Sequence, residues 1–242
     1  MTAERPFLIL KAGSLKSLSD FVERFGDTED TFLSSSGLRP KQVRIIDIEA
    51  AEPLPADLND YAGAIISGSA SMVSSQAPWM QKAEAWLRGA VASGLPVLGV
   101  CFGHQLLSHA LGGSVGPNAE GLEGGTVDIN FRADGDPLFG GIGPQVALQA
   151  HHYETVLVPP QGAQILASSP HDRHQALRHA MNAWSVQFHP ELTMPMMHVL
   201  MDALSTGSDP HGHAQMRDTL RPSPEGPLLL RRFVSLARAY TK

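Results

Sequence analysis

The feature that most constrains this chain is the run from Pro96 to Gly113, which carries its single cysteine, Cys101, between Gly99 and Gly103. Pro96 to Val100 is a short β-prone apolar run, and Leu106, Leu107, Ala110 and Leu111 then recur at helical spacing. A chain that passes straight from strand to helix forces the residue at the turn into strained backbone angles, and the small neighbours give the room to do so. This pattern, an elbow with Cys at its tip, requires a sheet whose strand ends lie beneath helix starts. It lifts the Cys101 sulfur above the sheet edge, where unpaired helix amides favour an anion and so a thiolate. A lone cysteine in an apolar segment is otherwise a small buried hydrophobe. The flanking glycines weigh for the nucleophile.

Strand and helix patterns alternate before the elbow. Phe7–Leu10, Val43–Ile48 and Tyr61–Ile66 read as strands, and Leu15, Leu18, Val22 and Phe25 mark a helix across 15–25. A short helical piece covers 31–35, and a long amphipathic helix follows Pro78 until Gly94 stops it. Between them, 67–78 is a small-residue loop leaving a strand end. The alternation predicts an α/β fold with a mostly parallel central sheet covered by helices on both faces. The second half changes character: 126–131, 145–149, 164–167, 175–177 and 184–188 are short, β-prone and separated by Gly, Pro and Asp, and they predict antiparallel additions. Helices are expected over 194–204 and 228–240, with a surface loop holding at most one short helix over 206–227. A single domain, 1–242, suffices for this length.

The net charge of −6 offers no broad cationic surface, which excludes a nucleic-acid backbone or an anionic membrane as partner and leaves a small molecule or a protein. One cysteine cannot form an intrachain disulfide, and the apolar run 7–10 is too short for a signal peptide or a membrane span. A cytoplasmic location is expected.

A thiol nucleophile needs a base that takes its proton and returns it to the leaving group, and the base needs an orienting partner. Trp184 to Glu191 supplies both, because Pro190 ends a β-prone run and biases His189 toward an extended conformation. Residues two apart then share a face, so the Glu191 carboxylate reaches the His189 ring, fixes its tautomer and stabilises the imidazolium. Cys101, His189 and Glu191 are the candidate triad.

Gly99 to Leu106 together with Gln187 to Glu191 resembles the signature pair of the class I (triad) glutamine amidotransferases, including the glutaminase domain of GMP synthase. The resemblance runs from the first strand to Glu191. It implies a flavodoxin-like three-layer fold and a cysteine that forms a γ-glutamyl thioester and releases ammonia, with no cofactor. It further implies an oxyanion hole from the amides of Phe102 and of the Ser67–Ser69 loop, where Gly68 gives backbone freedom and Ser69 stands in place of a second glycine. Each such donor contributes roughly 3 kcal/mol to the barrier reduction. Gln105 matches the position that helps hold the substrate glutamine. The run from Ala150 to Pro159 resembles a His-Gly-Asp segment of the GMP synthase type, with His152, Tyr153 and Glu154 in its three positions. Tyr153 in place of Gly reshapes the pocket it lines.

No metal site is expected, since His171 with His174 and His211 with His213 lack accompanying ligands at zinc-like spacing. The methionines from Met194 to Met201 fall at helical spacing and read as core. The resemblance implies glutamine as small-molecule substrate and, as partner, a separate synthase that accepts the ammonia, because no phosphate-cradling glycine loop follows Glu191. The alternatives are a γ-glutamyl peptidase acting on another γ-glutamyl compound and a catalytically silent binding relative. Oligomeric state is not legible.

Overall fold

The computed structural model describes residues 4–205 and 210–240. The first half forms β1 (Phe7–Lys11), α1 (Ser19–Phe25), α2 (Thr28–Ser36), β2 (Val43–Asp47), β3 (Gly63–Ile66), α3 (Pro78–Ala92), β4 (Val97–Val100) and α4 (Phe102–Ala110). The second half adds β5 (Ser114–Pro117), β6 (Glu123–Phe131), β7 (Gln145–His152), β8 (Glu154–Val158), β9 (Gln164–Ser168), β10 (Ala176–Ala180) and β11 (Ala183–Val186). Three helices end it: α5 (Met194–Leu204), α6 (Pro210–Asp218) and α7 (Glu225–Tyr240).

The central sheet runs β2-β1-β3-β4-β11-β10-β9-β6-β7. Its β2, β1, β3, β4 and β11 are parallel, and β10, β9, β6 and β7 continue it antiparallel. The doubly covered character follows from β1, where every residue is buried and successive side chains point to opposite faces. Leu8 and Leu10 join Met80 and Leu87 of α3 and Leu106 and Leu107 of α4 in one core. Phe7 and Ile9 join Phe32 of α2 and Leu230 and Phe233 of α7 in the other. Each such side chain contributes about 2 kcal/mol of burial. A third, smaller cluster surrounds Phe21 and the α5 methionines Met196, Met197 and Met201, so the methionine run is core.

Three expectations need correction. The helix expected from Leu15 begins only at Ser19, because the Asp27 carboxylate accepts from the Leu15 amide (2.7 Å) and the Ser14 hydroxyl, holding 14–18 as a loop. The interval 206–227 contains the helix α6, whose own sequence is weakly amphipathic but which is held by packing of Met216 and by Thr219 Oγ1 accepting from the Thr126 amide. Two strands escaped the reading, β5 and β8, which pair antiparallel as a small second sheet. β5 is short and contains Gly116 and Pro117, residues that weaken any strand signal.

Candidate active site

Cys101 occupies the N-cap of α4 at φ 52°, ψ −104°, the left-handed side of the map that a non-glycine residue adopts only under tertiary constraint. The neighbouring glycines serve space rather than backbone freedom, since neither has a positive φ. A Cβ on Gly99 would lie 2.3 Å from the Gly103 carbonyl oxygen, and one on Gly103 would lie 2.5 Å from that of Ile66. The elbow therefore packs backbone directly on backbone.

β11 runs parallel beside β4, so the chain leaving it arrives next to the elbow. There the His189 amide donates to the Gln149 carbonyl (2.7 Å), and His189 Nδ1 lies 2.6 Å from Glu191 Oε1. The Ser35 hydroxyl of α2 donates to the Glu191 carbonyl at 2.7 Å, anchoring the segment from the opposite side. With Nδ1 turned to Glu191, Nε2 is the ring atom left for the thiol, and the two side chains form a direct imidazole–thiol pair. Burial alone would push the Cys101 thiol up, but the charge of His189 and its hydrogen bond, with a smaller contribution from His152, bring it below the ordinary value. Burial likewise opposes charge on His189, yet Glu191 and the Cys101 sulfur raise it well above the ordinary imidazole range. Thiolate and imidazolium are the favoured pair at neutral pH.

The loop after β3 closes on the same point. A Cβ on Gly68 would lie 3.0 Å from His189 Cε1, so only glycine lets the loop approach the ring this closely. Ser67 Oγ accepts from the Ala12 amide and donates to the Gly68 carbonyl, and Ser69 Oγ accepts from the Ser71 amide. The serine at 69 thus fixes the loop, and it does so without a positive φ. Neither the Ser69 nor the Phe102 amide has an acceptor among the described residues, so both remain available to an oxyanion.

Gln105 is buried and not solvent-exposed: its Nε2 donates to the Glu154 carbonyl (2.7 Å) and to Gln187 Oε1 (3.0 Å). Only its oxygen is left for a ligand, which suits an ammonium. His152 is buried with both nitrogens engaged, Nδ1 to the Glu154 carbonyl (2.9 Å) and Nε2 to Glu123 Oε2 (2.7 Å). It bears on the site through charge rather than through a free ring nitrogen. Tyr153 is 42% exposed at the rim and meets the His151 ring edge-on at 5.8 Å.

Glu123, which the sequence reading missed, is the centre of a buried network. Burial opposes its ionisation, but His152, the Ser169 hydroxyl and other donors hold its carboxyl below the usual range, and they in turn keep His152 above its own. Glu123, His152 and Asp172 offer ligand atoms within 4.8 Å of one another. Donors already surround both carboxylates, with Gln175 and Ser169 on Glu123 and Thr155 and the His174 amide on Asp172, so the group is built as a hydrogen-bond network. His171 and His174 separate, each taking a backbone carbonyl, of Gly121 and Val156. Also unforeseen is His213 of α6, buried against His151 with the rings stacked at 5.4 Å. An isolated glutamate and a histidine in a polar interval carry no sequence signal of such contacts.

Cys101, Phe102, Gly68, Ser69, Gln105, His152, Tyr153, His189 and Glu191 all line one cavity of about 370 Å³. No helix among the described residues is long and apolar enough to cross a membrane.

Residues 31–202 match the family model described as glutamine amidotransferase class-I. The chain is 36% identical to the glutamine-hydrolyzing subunit of GMP synthase from Sulfurisphaera tokodaii, over 56% of this chain and 70% of that one. It is 31% identical to gamma-glutamyl peptidase 5 of Arabidopsis thaliana over 76% of each chain. Its match to a Saccharomyces cerevisiae protein assigned by name to the glutamine amidotransferases, 34% identical, spans 54% of that protein's length. In structure it resembles a glutamine amidotransferase from Thermotoga maritima with a TM-score of 0.78, covering 97% of this chain and 98% of the other at 18% identity.

Proposed function

The chain belongs to the class I glutamine amidotransferase family, and on that premise we propose that it hydrolyses a γ-glutamyl amide through a Cys101 thioester, with glutamine as the parent substrate. The observation that carries this reading is the convergence of an activated thiol, a carboxylate-bound imidazole and two free amides on one cavity.

The Cys101 thiolate attacks the γ-carbonyl carbon. The oxygen that gains charge points at the Ser69 and Phe102 amides, and the His189 imidazolium gives its Nε2 proton to the departing nitrogen. Ammonia or an amine leaves, and the glutamyl group stays on sulfur. Water then attacks the thioester while His189 takes its proton, and glutamate departs as the thiolate reforms. Glu191 holds the ring and stabilises its charged form throughout. Gln105 Oε1 faces the substrate ammonium.

Released ammonia passes, in this reading, to a separate synthase, which the likeness to a glutamine-hydrolyzing component of GMP synthase supports. The likeness to a γ-glutamyl peptidase over three quarters of both chains supports the second reading, hydrolysis with no acceptor. A screen of glutamine and γ-glutamyl compounds, with Cys101→Ala as blank and mass detection of the acyl-enzyme, tests the proposal. Turnover without Cys101 acylation, or equal turnover by Cys101→Ala, rejects it. A folded protein that no glutamine-like electrophile labels at Cys101 would leave a silent binding relative in its place.

A further inference from the structure

The cavity extends well past the atoms that a thioester mechanism on glutamine requires, and its far part is apolar. In the proposed mechanism His189 protonates the leaving nitrogen, so whatever that nitrogen carries lies on the His189–Glu191 side of the scissile bond. On that side Leu192 follows Glu191 directly. The wall continues through Leu15 and Leu18 of the loop after β1 and Leu200 and Leu204 of α5. These five leucines come from three separate segments, and all belong to the cluster around Phe21 and the α5 methionines. The loop that carries Leu15 and Leu18 is fixed in place by Asp27, so this wall is preformed.

The charge on this cavity is equally specific. No lysine or arginine lines it. Of its two carboxylates, Glu191 holds His189 and Glu154 accepts from the Ser74 amide at 3.2 Å. The hydroxyls at its edge are spent within the protein, Ser14 on Asp27 and Thr31 on the Thr28 carbonyl. Ammonia would leave such a space to water, which needs two to four polar partners that leucine walls do not supply. An amine carrying a carboxylate, as an amino acid or peptide does, would bring a charge for which the wall has no partner.

We infer that the preferred acyl donor is a γ-glutamyl amide of an uncharged, apolar amine, an N-alkyl or N-aryl γ-glutamylamide, whose substituent fills the leucine-walled end of the cavity. The inference rests on the proposed thioester mechanism and narrows its substrate class. The balance is simple: the amide C–N bond breaks, His189 supplies a proton to the nitrogen, the amine departs, and water completes the acid, giving glutamate and the free amine.

The test is a kcat/KM series on the intact protein with L-glutamine, γ-L-glutamyl methylamide, propylamide and butylamide, and γ-L-glutamylglycine. Butylamide is expected to exceed glutamine by at least about tenfold, the discrimination a few buried methylenes supply. Propylamide is expected to exceed γ-glutamylglycine, of similar length but charged, by a similar factor. Leu18→Gln, at a partly buried loop position, lowers the butylamide to methylamide ratio several-fold. Hydrolysis of glutamine with a flat alkyl series, or a preference for γ-glutamylglycine, overturns this inference and leaves the thioester reading standing. If no member of the series, glutamine included, acylates Cys101, the thioester reading fails and the inference with it.

Discussion

His152 hands both of its ring protons to acceptors of the protein, Nε2 to Glu123 across 2.7 Å and Nδ1 to the carbonyl of Glu154 across 2.9 Å. A buried imidazole so held is a fixed positive charge, and it sits close enough to Cys101 for each to shift the other. The pair is a positioning and electrostatic element behind the nucleophile.

Replacing the carboxylate removes that charge while keeping the shape. Glu123→Gln is expected to lower the His152 pKa and raise that of the Cys101 thiol, because the neutral imidazole no longer favours thiolate. The rate of Cys101 alkylation by iodoacetamide, followed against pH, would then rise at a higher pH than in the wild type. An unchanged profile in a folded variant would show that His152 is neutral or electrostatically remote.

Glu191→Gln leaves the His189 ring without its anionic partner. The imidazolium is destabilised and protonation of the leaving nitrogen weakens, so kcat is expected to fall by about 10²-fold with little change in KM. Steady-state kinetics on whichever γ-glutamyl substrate the screen identifies measures both. Loss confined to KM would place Glu191 in substrate binding instead.

The elbow has no room for a methyl group. Gly103→Ala would set a Cβ 2.5 Å from the Ile66 carbonyl oxygen and 2.8 Å from Ile66 Cβ, contacts with a central strand that cannot move aside. The expected destabilisation is about 3 kcal/mol, a fall of roughly 10 °C in Tm. Gly89→Ala, in open space on α3, is the control and should leave Tm unchanged or slightly raised.

Lys11 Nζ lies 2.5 Å from Asp27 and 2.7 Å from Glu29, both ends of the first pair being buried. Burial would push the Asp27 carboxyl up, but Lys11, the Leu15 and Thr28 amides and the Ser14 hydroxyl hold it at about 2, from an ordinary 3.8. A depressed carboxyl contributes stability that is present above the unfolded value and fades as pH falls from about 4 through about 2. Asp27→Asn should therefore cost about 2–3 kcal/mol in urea unfolding at pH 7, and the gap to wild type should shrink toward pH 2. Because Asp27 also ties down the loop carrying Leu15 and Leu18, the variant tests the anchoring of the apolar wall.

The parallel half of the fold was legible because its strands and helices carry their own signals. β1 reads as a compact apolar strand, α3 as an amphipathic stripe bounded by Pro78 and Gly94, and α5 falls on the residues its spacing predicts. Cys101, His189 and Glu191 were legible for a different reason: the geometry each requires leaves local marks, glycines around the cysteine and a proline after the histidine. β5, β8 and α6 left no such marks, since short strands with Gly and Pro and a weakly amphipathic helix are held by their neighbours rather than by propensity.

The sequence by itself determined that a strand-to-helix elbow carries the one cysteine, that an extended His-Pro-Glu segment ends a strand, and that a mostly parallel sheet joins them, because each follows from steric rules within a few residues. Only the tertiary structure decided what surrounds that chemistry. Glu123 meets His152 from 29 residues away, His213 meets His151 from 62, and Leu15, Leu18, Leu192 and Leu200 line one wall from three segments. Such contacts arise from how the layers close over one another, and a buried charge or an apolar cavity is a property of that closure, not of any stretch of chain.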